Sequence, residues 1–213
     1  MPVPSYVIVA VAAYLLGSIP TGYLVGRARG IDIRTAGSGN VGATNTFRVL
    51  GKLAGMFVLL ADCAKGFAAV WLGRWLLKML GAPEAEMETH CVVAGIFAVL
   101  GHNYTCWLRF KGGKGIATSA GVYLALAPAA LGIALAAFVL AVAVTRYISV
   151  GSMVGAIVLP VAVWFTHDNL FLRIMTIALG VMAIFKHRGN IQRLLAGTEN
   201  RIGKAPQSTE AAK

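Results

Sequence analysis

The chain has 213 residues, 58% of them hydrophobic and only 13% charged, against about 25% charged in an average soluble domain. That composition, with a mean hydropathy of +0.74, excludes a water-exposed globule; runs of about 18 or more mostly apolar residues recur, so the solvent for most of the chain is lipid. The net charge of +11 suits cytoplasmic loops facing anionic lipid, or an anionic substrate, and its dispersal over loops between spans argues against nucleic-acid binding.

In chain order, the first predicted span runs from about Val3 to Val25. No basic segment precedes it and no convincing cleavage site follows, so it reads as a retained span and not a signal peptide. Arg27 and Arg29 end it, and a polar, glycine-rich stretch follows as far as Lys52. A second apolar segment, about Leu53 to Leu80, carries Asp62 and Lys65 one turn apart. Charges at such depth are expensive and are usually paired or functional; here they pair with each other, or Lys65 snorkels to the interface. An acidic loop with Glu84, Glu86 and Glu88 leads to a third span, about Cys91 to Leu108, in which His102 is a core histidine or a pocket residue. Cys63, Cys91 and Cys106 lack metal-ligand spacing and read as small core hydrophobes.

Ile116 to Thr145 is a thirty-residue apolar stretch with Pro128 near its middle. One tilted helix absorbs about 25 residues, so the proline predicts two short helices and a tight turn. Ile148 to Phe165 and Leu170 to Phe185 are two more spans, and a basic segment closes the chain. The prediction is an all-α integral membrane protein, a polytopic bundle of about seven transmembrane helices, with its N-terminus outside and its C-terminus cytoplasmic. Every Lys and Arg except Lys65, Arg74, Lys78 and Arg173 then faces the cytoplasm, and Glu84, Glu86, Glu88 and Asp168 face outside. With five spans Arg146 and the basic tail would lie outside, against the positive-inside rule.

Three polar motifs fall on the cytoplasmic face. Gly37-Ser38-Gly39-Asn40-Val41-Gly42-Ala43-Thr44-Asn45 contains G-x-G-x-x-G, yet the strand and the soluble βαβ unit of a dinucleotide fold are missing. Its glycines can still let backbone N–H groups converge on an anion, with Ser38, Asn40, Thr44 and Asn45 adding hydrogen-bonding groups and Arg48 a fixed charge; the plain alternative is a flexible loop. Lys111-Gly112-Gly113-Lys114-Gly115 is not a Walker motif, because Leu108 and Gly115 stand where Gly and Ser or Thr are needed. It is a glycine turn opening a helix, an anion site with Lys114 as a point charge, or simply a basic cytoplasmic loop. The segment from His187 to Glu199 places His187 and Asn190 on one helical face, and equally fits an amphipathic interfacial helix. Arg48, Lys114 and Arg188 are predicted to build one anion pocket at the cytoplasmic surface. Gly22-x-x-x-Gly26 and Gly51-x-x-x-Gly55 read as helix-packing surfaces.

Together with Gly17-Ser18-Ile19-Pro20, Asp62-x-x-Lys65-Gly66, Gly101-His102, Phe110-x4-Gly115-x-Ala117-Thr118 and Asn190-x-x-Arg193-Leu194-x-x-Gly197-x-Glu199, these motifs resemble the acyl-phosphate-dependent glycerol-3-phosphate acyltransferase family (PlsY type), over about Tyr14 to Arg201 and in the family's order. The resemblance implies a seven-helix fold with a cytoplasmic active site in the bacterial inner membrane. It implies transfer of a fatty acyl group from acyl phosphate to the 1-hydroxyl of glycerol-3-phosphate, giving lysophosphatidic acid and phosphate. A soluble enzyme that makes acyl phosphate is the partner expected from the family. Matching positions imply that Ser38, Lys114, His187, Asn190 and Glu199 are catalytic, Glu199 as structural support. Ser38, Gly39, Asn40, Thr44, Asn45, Arg48, Gly112, Gly113, Lys114, His187 and Asn190 would bind substrate, with Gly112 and Gly113 giving backbone donors to acyl phosphate. Residues 1–204 then form a single transmembrane acyltransferase domain and 205–213 a disordered cytoplasmic tail. No cofactor or metal is expected. A mixed anhydride carries its own leaving group, so direct transfer needs no covalent enzyme intermediate, and a donor phosphate oxygen can accept the hydroxyl proton.

The His-x4-Asp pattern of acyl-CoA-dependent acyltransferases is absent: Gly95, Trp107, Leu172 and Gln192 stand five residues after the four histidines. Asp62 stands alone in its span, without the clustered aspartates of CDP-alcohol phosphatidyltransferases. The alternative from another class is a transporter or channel for a phosphorylated anion; motifs gathered at one surface and the lack of an evident inverted repeat count against it.

Overall fold

A computed structural model of the protein describes residues 4–81 and 83–203; the tail expected at 205–213 lies outside the described residues. The chain is helical: α1 (Pro4–Ser18), α2 (Thr21–Ala28), α3 (Ala43–Leu50), α4 (Lys52–Met79), α5 (Met87–Asn103), α6 (Ile116–Leu126), α7 (Pro128–Thr145), α8 (Ile148–Thr166), α9 (Leu170–Lys186) and α10 (Arg188–Leu195). It is an all-helical integral membrane protein. Phe57, Leu60, Leu140, Val144 and Phe165 are all more than half exposed, which only a surrounding bilayer makes favourable.

The predicted first span is broken into α1 and α2 at Ile19–Pro20. Pro20 has no N–H to continue the helix ladder, and the Ile19 carbonyl accepts from Lys65 Nζ at 2.8 Å. Asp62 Oδ1 accepts from Thr21 Oγ1 at 3.0 Å and pairs with Lys65 at 2.8 Å. Both charges are buried. They pair with each other and also fasten the broken span to α4, which accounts for their depth.

Pro128 acts as expected: it is the first residue of α7, and the thirty-residue stretch parts at Ala127. Ile116, at the start of α6, and Phe138 and Val142, late in α7, border one cavity, so α6 and α7 run in opposite directions. At the other end of the bundle Arg74, Glu84, Glu88, Leu126 and Leu172 border a second cavity, gathering the ends of α4 and α6 with the starts of α5 and α9. Chain direction therefore alternates through seven apolar segments. By length and composition five of them can cross a membrane, six if α9 and α10 form one bent span. α6, with 11 residues, reaches about 16 Å of a hydrocarbon layer about 30 Å thick, so the described helices give five or six candidate spans where the sequence predicts about seven.

The core sits where α1, α4 and α5 meet around Val9, Ala69, Ala94, Ala98 and Val99, and continues between α6, α7, α8 and α9 around Tyr123, Leu131, Val163 and Leu172. Close approach depends on small residues: a Cβ on Gly101 would strike the Tyr14 carbonyl, and one on Gly121 the Cys63 carbonyl. The two spaced glycine pairs named above pack helices only in part: Gly55 of α4 meets α3, while the others admit loops or form a turn. Gly22 and Gly26 admit the loop at Val41 and Ile31, Gly55 packs on the Phe47 ring of α3, and Gly51 forms the turn between α3 and α4. Cys91 is buried while Cys63 and Cys106 are half-buried, and all three are free thiols.

Candidate active site

The glycine-rich loop is folded around one side chain. Asn45, fully buried in α3, accepts the Ser38 N–H at 2.8 Å and donates to the carbonyls of Ile33 (3.2 Å) and Ala36 (3.0 Å). Asn40 Oδ1 accepts the Gly42 N–H at 2.8 Å, a turn that an Asx side chain closes on its own backbone. Gly39 has φ +70°, a left-handed conformation that glycine takes at no steric cost. The loop is therefore a rigid cradle and not a flexible connection. Its order leaves the Ser38 side chain on the cavity wall beside Thr44 and Arg48.

In the second motif the Gly112 N–H donates to the Asn103 carbonyl at 3.2 Å and the Gly113 N–H to the His102 carbonyl at 3.0 Å. These two donors bond within the chain, and neither glycine is among the residues that border the cavity. The reason is steric: Gly112 and Gly113 lie on the end of α5, where a Cβ on either would strike His102 or Asn103. The turn instead delivers Gly115, in a left-handed conformation at φ +80°, and the first turn of α6. Gly115, Ile116 and Ala117 border the cavity, and a helix N-terminus offers unpaired N–H groups and the positive end of the dipole.

The third motif supplies a chain of polar contacts. Lys114 Nζ donates to Asn190 Oδ1. Asn190 Nδ2 donates to Glu199 Oε1 at 2.8 Å, and Ser149 Oγ donates to the same oxygen at 2.9 Å. Arg193 Nε donates to Glu199 Oε2 at 2.7 Å. Burial pushes the Glu199 carboxyl upward, but the hydrogen bonds from Asn190, Arg193 and Ser149 outweigh it and hold it below its usual range. A carboxylate accepting three donors is firmly placed, and it fixes which way the Asn190 amide points. Burial, together with Arg193 and Arg48 and against Glu199, lowers the Lys114 ammonium to about 8. His187, the first residue beyond α9, is buried. Its Nδ1 lies 2.8 Å from the Ala183 carbonyl; a carbonyl only accepts, so Nδ1 carries the hydrogen and Nε2 is the free acceptor. Burial, reinforced by Lys114, lowers the imidazole to about 4, so it is neutral at pH 7.

The three motifs, far apart in sequence, thus enclose one cavity of about 370 Å³, within the range of ordinary ligand sites. Ser38, Asn40, Thr44, Asn45, Arg48, Lys114, His187, Asn190 and Glu199 border it; Gly39, Gly112 and Gly113 do not. Arg188 turns away from it, its guanidinium over the exposed Phe185 ring at 4.7 Å. Arg193, on the same helix, pairs with Glu199 instead. Ser149 went unnoticed because nothing near the start of α8 marks it. Asp62 and His102 also border the cavity, giving His102 a pocket-side position. Among the described residues no three His, Cys, Asp or Glu side chains gather as metal ligands. Arg48, Lys114 and the α6 N-terminus make the cavity an anion site, and the apolar walls at Phe138, Val142 and Ile148 make it fit an amphiphile.

Comparison with known proteins agrees with this chemistry. Residues 7–197 match the model of a family described as glycerol-3-phosphate acyltransferase. A glycerol-3-phosphate acyltransferase of Trichlorobacter lovleyi is 48% identical, covering 89% of this chain and 94% of its own. That of Geobacter sulfurreducens is 46% identical, covering 92% and 96%. Among solved structures, PlsY (YgiH), an integral membrane glycerol 3-phosphate acyltransferase in its glycerol 3-phosphate form, superimposes with a TM-score of 0.84 at 36% identity, covering 93% of this chain and 96% of that one. Its lysophosphatidic acid form gives a TM-score of 0.81 at 35% identity.

Proposed function

The chain belongs to the glycerol-3-phosphate acyltransferase family, and from that premise we propose that the cavity between the three motifs is its active site and faces the cytoplasm. The protein is a PlsY-type acyltransferase, of the acyl-phosphate donor family, that makes lysophosphatidic acid. Membership in an acyltransferase family sets the carrier reading aside. The observation that supports the site is the convergence of Arg48, Lys114 and the first turn of α6 on a space that apolar side chains border on its other side.

In this reading Arg48 and Ser38 hold glycerol-3-phosphate, and Lys114 with the α6 N-terminus holds the phosphoryl group of the donor. His187 Nε2 accepts a hydrogen bond from the glycerol 1-hydroxyl and orients it. The hydroxyl oxygen attacks the acyl carbonyl, the bond from carbonyl carbon to phosphate oxygen breaks, and the departing phosphate takes the hydroxyl proton. An imidazole held at about 4 orients a proton better than it keeps one, which leaves the phosphate as acceptor. Holding two phosphates in preorganised positions supplies the catalysis. Glu199 acts through Asn190 and Lys114 as a positioning residue. The transmembrane region forms a single domain, and a soluble enzyme making acyl phosphate supplies the donor.

The test is acyl transfer by the purified protein to labelled glycerol-3-phosphate, with acyl phosphate against acyl-CoA. Product is expected from acyl phosphate alone; equal turnover with acyl-CoA would overturn the donor assignment. Sidedness is tested separately. The distribution of basic residues favours a cytoplasmic Asn40, so Asn40→Cys, in a background where Cys63, Cys91 and Cys106 are replaced, should resist an impermeant thiol reagent in intact cells and react after lysis. Labelling in intact cells would reverse the orientation.

A further inference from the structure

Beyond α10 the chain turns back toward the site. Gly197, at φ +69°, reverses its direction, and the N–H groups of Thr198 and Glu199 both donate to the Arg193 carbonyl, at 2.8 and 3.1 Å. Glu199 is then fixed by its three side-chain donors. Three residues later the chain is fastened again, in the turn between α7 and α8: the Ile202 N–H donates to the Arg146 carbonyl at 2.8 Å. The Arg201 guanidinium lies 5.9 Å from the centroid of the Tyr147 ring. The Arg146 guanidinium lies so close to Gly203, at φ +80°, that it leaves no room for a Cβ there. Residues 197–202 thus form a strap pinned at α10 and at the α7–α8 turn.

The strap carries one apolar side chain among polar ones. Asn200, Arg201 and Arg146 are exposed, and irregular backbone of this kind is stable against water or protein but not against lipid. Ile202 nevertheless borders the polar cavity, as do Phe138, Val142 and Ile148 of its apolar wall. It is 45% exposed, so part of an isoleucine stands uncovered at the rim, where closing down would bury it favourably. The chemistry inside gives such a cover a purpose. Acyl phosphate reacts with water as well as with an alcohol. In hydrolysis a water oxygen attacks the acyl carbonyl, the bond from carbonyl carbon to phosphate oxygen breaks, and the departing phosphate takes a proton from the water. A fatty acid is formed in place of lysophosphatidic acid. Cations that hold the departing phosphate favour both reactions alike, so selectivity must come from keeping water away from the carbonyl.

Resting on the active-site reading above, we propose that the strap is the water seal of the site and that Ile202 sets the selectivity between glycerol-3-phosphate and water as acceptor. Closed over bound substrate, it buries Ile202 against the wall of Phe138, Val142 and Ile148. Arg146 and Arg201 stay on the rim, where their charge draws anionic substrates inward. The hold at that end is a backbone hydrogen bond and a ring contact, so the strap opens there for exchange while Glu199 stays in place.

The experiment supplies the purified protein with glycerol-3-phosphate and acyl phosphate labelled in the acyl chain. It reads the ratio of free fatty acid to lysophosphatidic acid, after subtracting donor breakdown without protein. Ile202→Ala deletes three carbons, each worth about fourfold in apolar burial, so the ratio should rise about tenfold or more. Gly203→Ala keeps Ile202 but sets a Cβ on left-handed backbone and against the Arg146 guanidinium, so it should loosen the same strap and raise the ratio too. Ile202→Leu keeps the apolar volume and should stay within about twofold of wild type. Unfolded protein makes neither product, so the ratio does not depend on the folded fraction. An unchanged ratio in Ile202→Ala and Gly203→Ala, with both products falling together, would overturn the seal and make Ile202 a packing residue. A rise in KM for acyl phosphate at an unchanged ratio would overturn it as well. Failure of the active-site reading would look different, since Lys114→Ala would then keep wild-type turnover.

Discussion

Lys114→Ala is expected to lower turnover by about two to three orders of magnitude while expression and membrane insertion stay normal. The ammonium is half-buried, hydrogen-bonded to Asn190 and placed between the glycine turn and the first turn of α6. Losing a charge-assisted contact to a phosphate in the transition state costs roughly 2 to 4 kcal/mol. A lysine that only enforced topology would be nearly dispensable, because many other basic residues share that task. Lys114→Arg is expected to lose much of the activity too. Its planar guanidinium is larger, and it meets Asn190 in a space measured for an ammonium. The pH profile separates the two ideas. Burial lowers Lys114 to about 8, so the charge is present below that pH and is lost as pH rises through it. A phosphomonoester's second ionisation, with a pKa near 6, is complete by then. The wild-type kcat/KM for acyl phosphate should fall above about pH 8, and the residual activity of Lys114→Arg should not, since arginine stays charged. If Lys114→Ala keeps more than about a third of wild-type turnover, a change well under 1 kcal/mol, the lysine is a topology determinant and the phosphate site lies elsewhere.

Asn190→Ala and Glu199→Ala are each expected to cost about two orders of magnitude in kcat, and the double variant no more than the worse single one. Asn190 Oδ1 accepts from Lys114 while its Nδ2 is committed to Glu199. Removing Glu199 frees the amide to turn its NH2 toward the ammonium, and a misplacement of about 1 Å at a reacting group costs about 10²-fold. Both changes break one link, so their effects do not add. The loss belongs in kcat, because Arg48 and Arg193 keep the cavity positive without Glu199. Ser149→Ala removes one of three donors to the carboxylate and should be much milder. The measurement is turnover per inserted protein for the two single variants and the double. Additive losses would show that Glu199 and Asn190 act separately, and a loss confined to KM would make Glu199 part of the phosphate site itself.

The residues that border the polar cavity were legible because binding phosphate calls for glycine turns, amides and fixed cations, and such residues stand out in a chain that is 58% hydrophobic. Arg48, Lys114, His187 and Asn190 were all visible in this way. Gly112 and Gly113 show where such legibility stops, for their N–H groups bond to the carbonyls of Asn103 and His102. A glycine that frees a backbone N–H for an anion and a glycine that lets the chain lie on α5 look alike in a sequence, and only their neighbours, His102 and Asn103, tell them apart. Arg188 and Arg193 are likewise equivalent as charges. The direction of α10 decides that one stacks on Phe185 and the other reaches Glu199.

The sequence by itself determined that the protein lives in lipid, where each apolar segment ends and where Pro128 divides a thirty-residue stretch, because these follow from local hydropathy and from a missing N–H. It also determined that Asp62 and Lys65 needed partners, since charge in a bilayer cannot stand alone. Only the tertiary structure decided what those partners hold together: the break at Ile19–Pro20, bound by Lys65 and Thr21. Only it showed that Ser149 completes the set of donors around Glu199. Hydrophobicity and turn chemistry act between near neighbours along the chain. The pairing of Ser149 with Glu199, fifty positions apart, depends on how whole helices pack, and no local pattern encodes it.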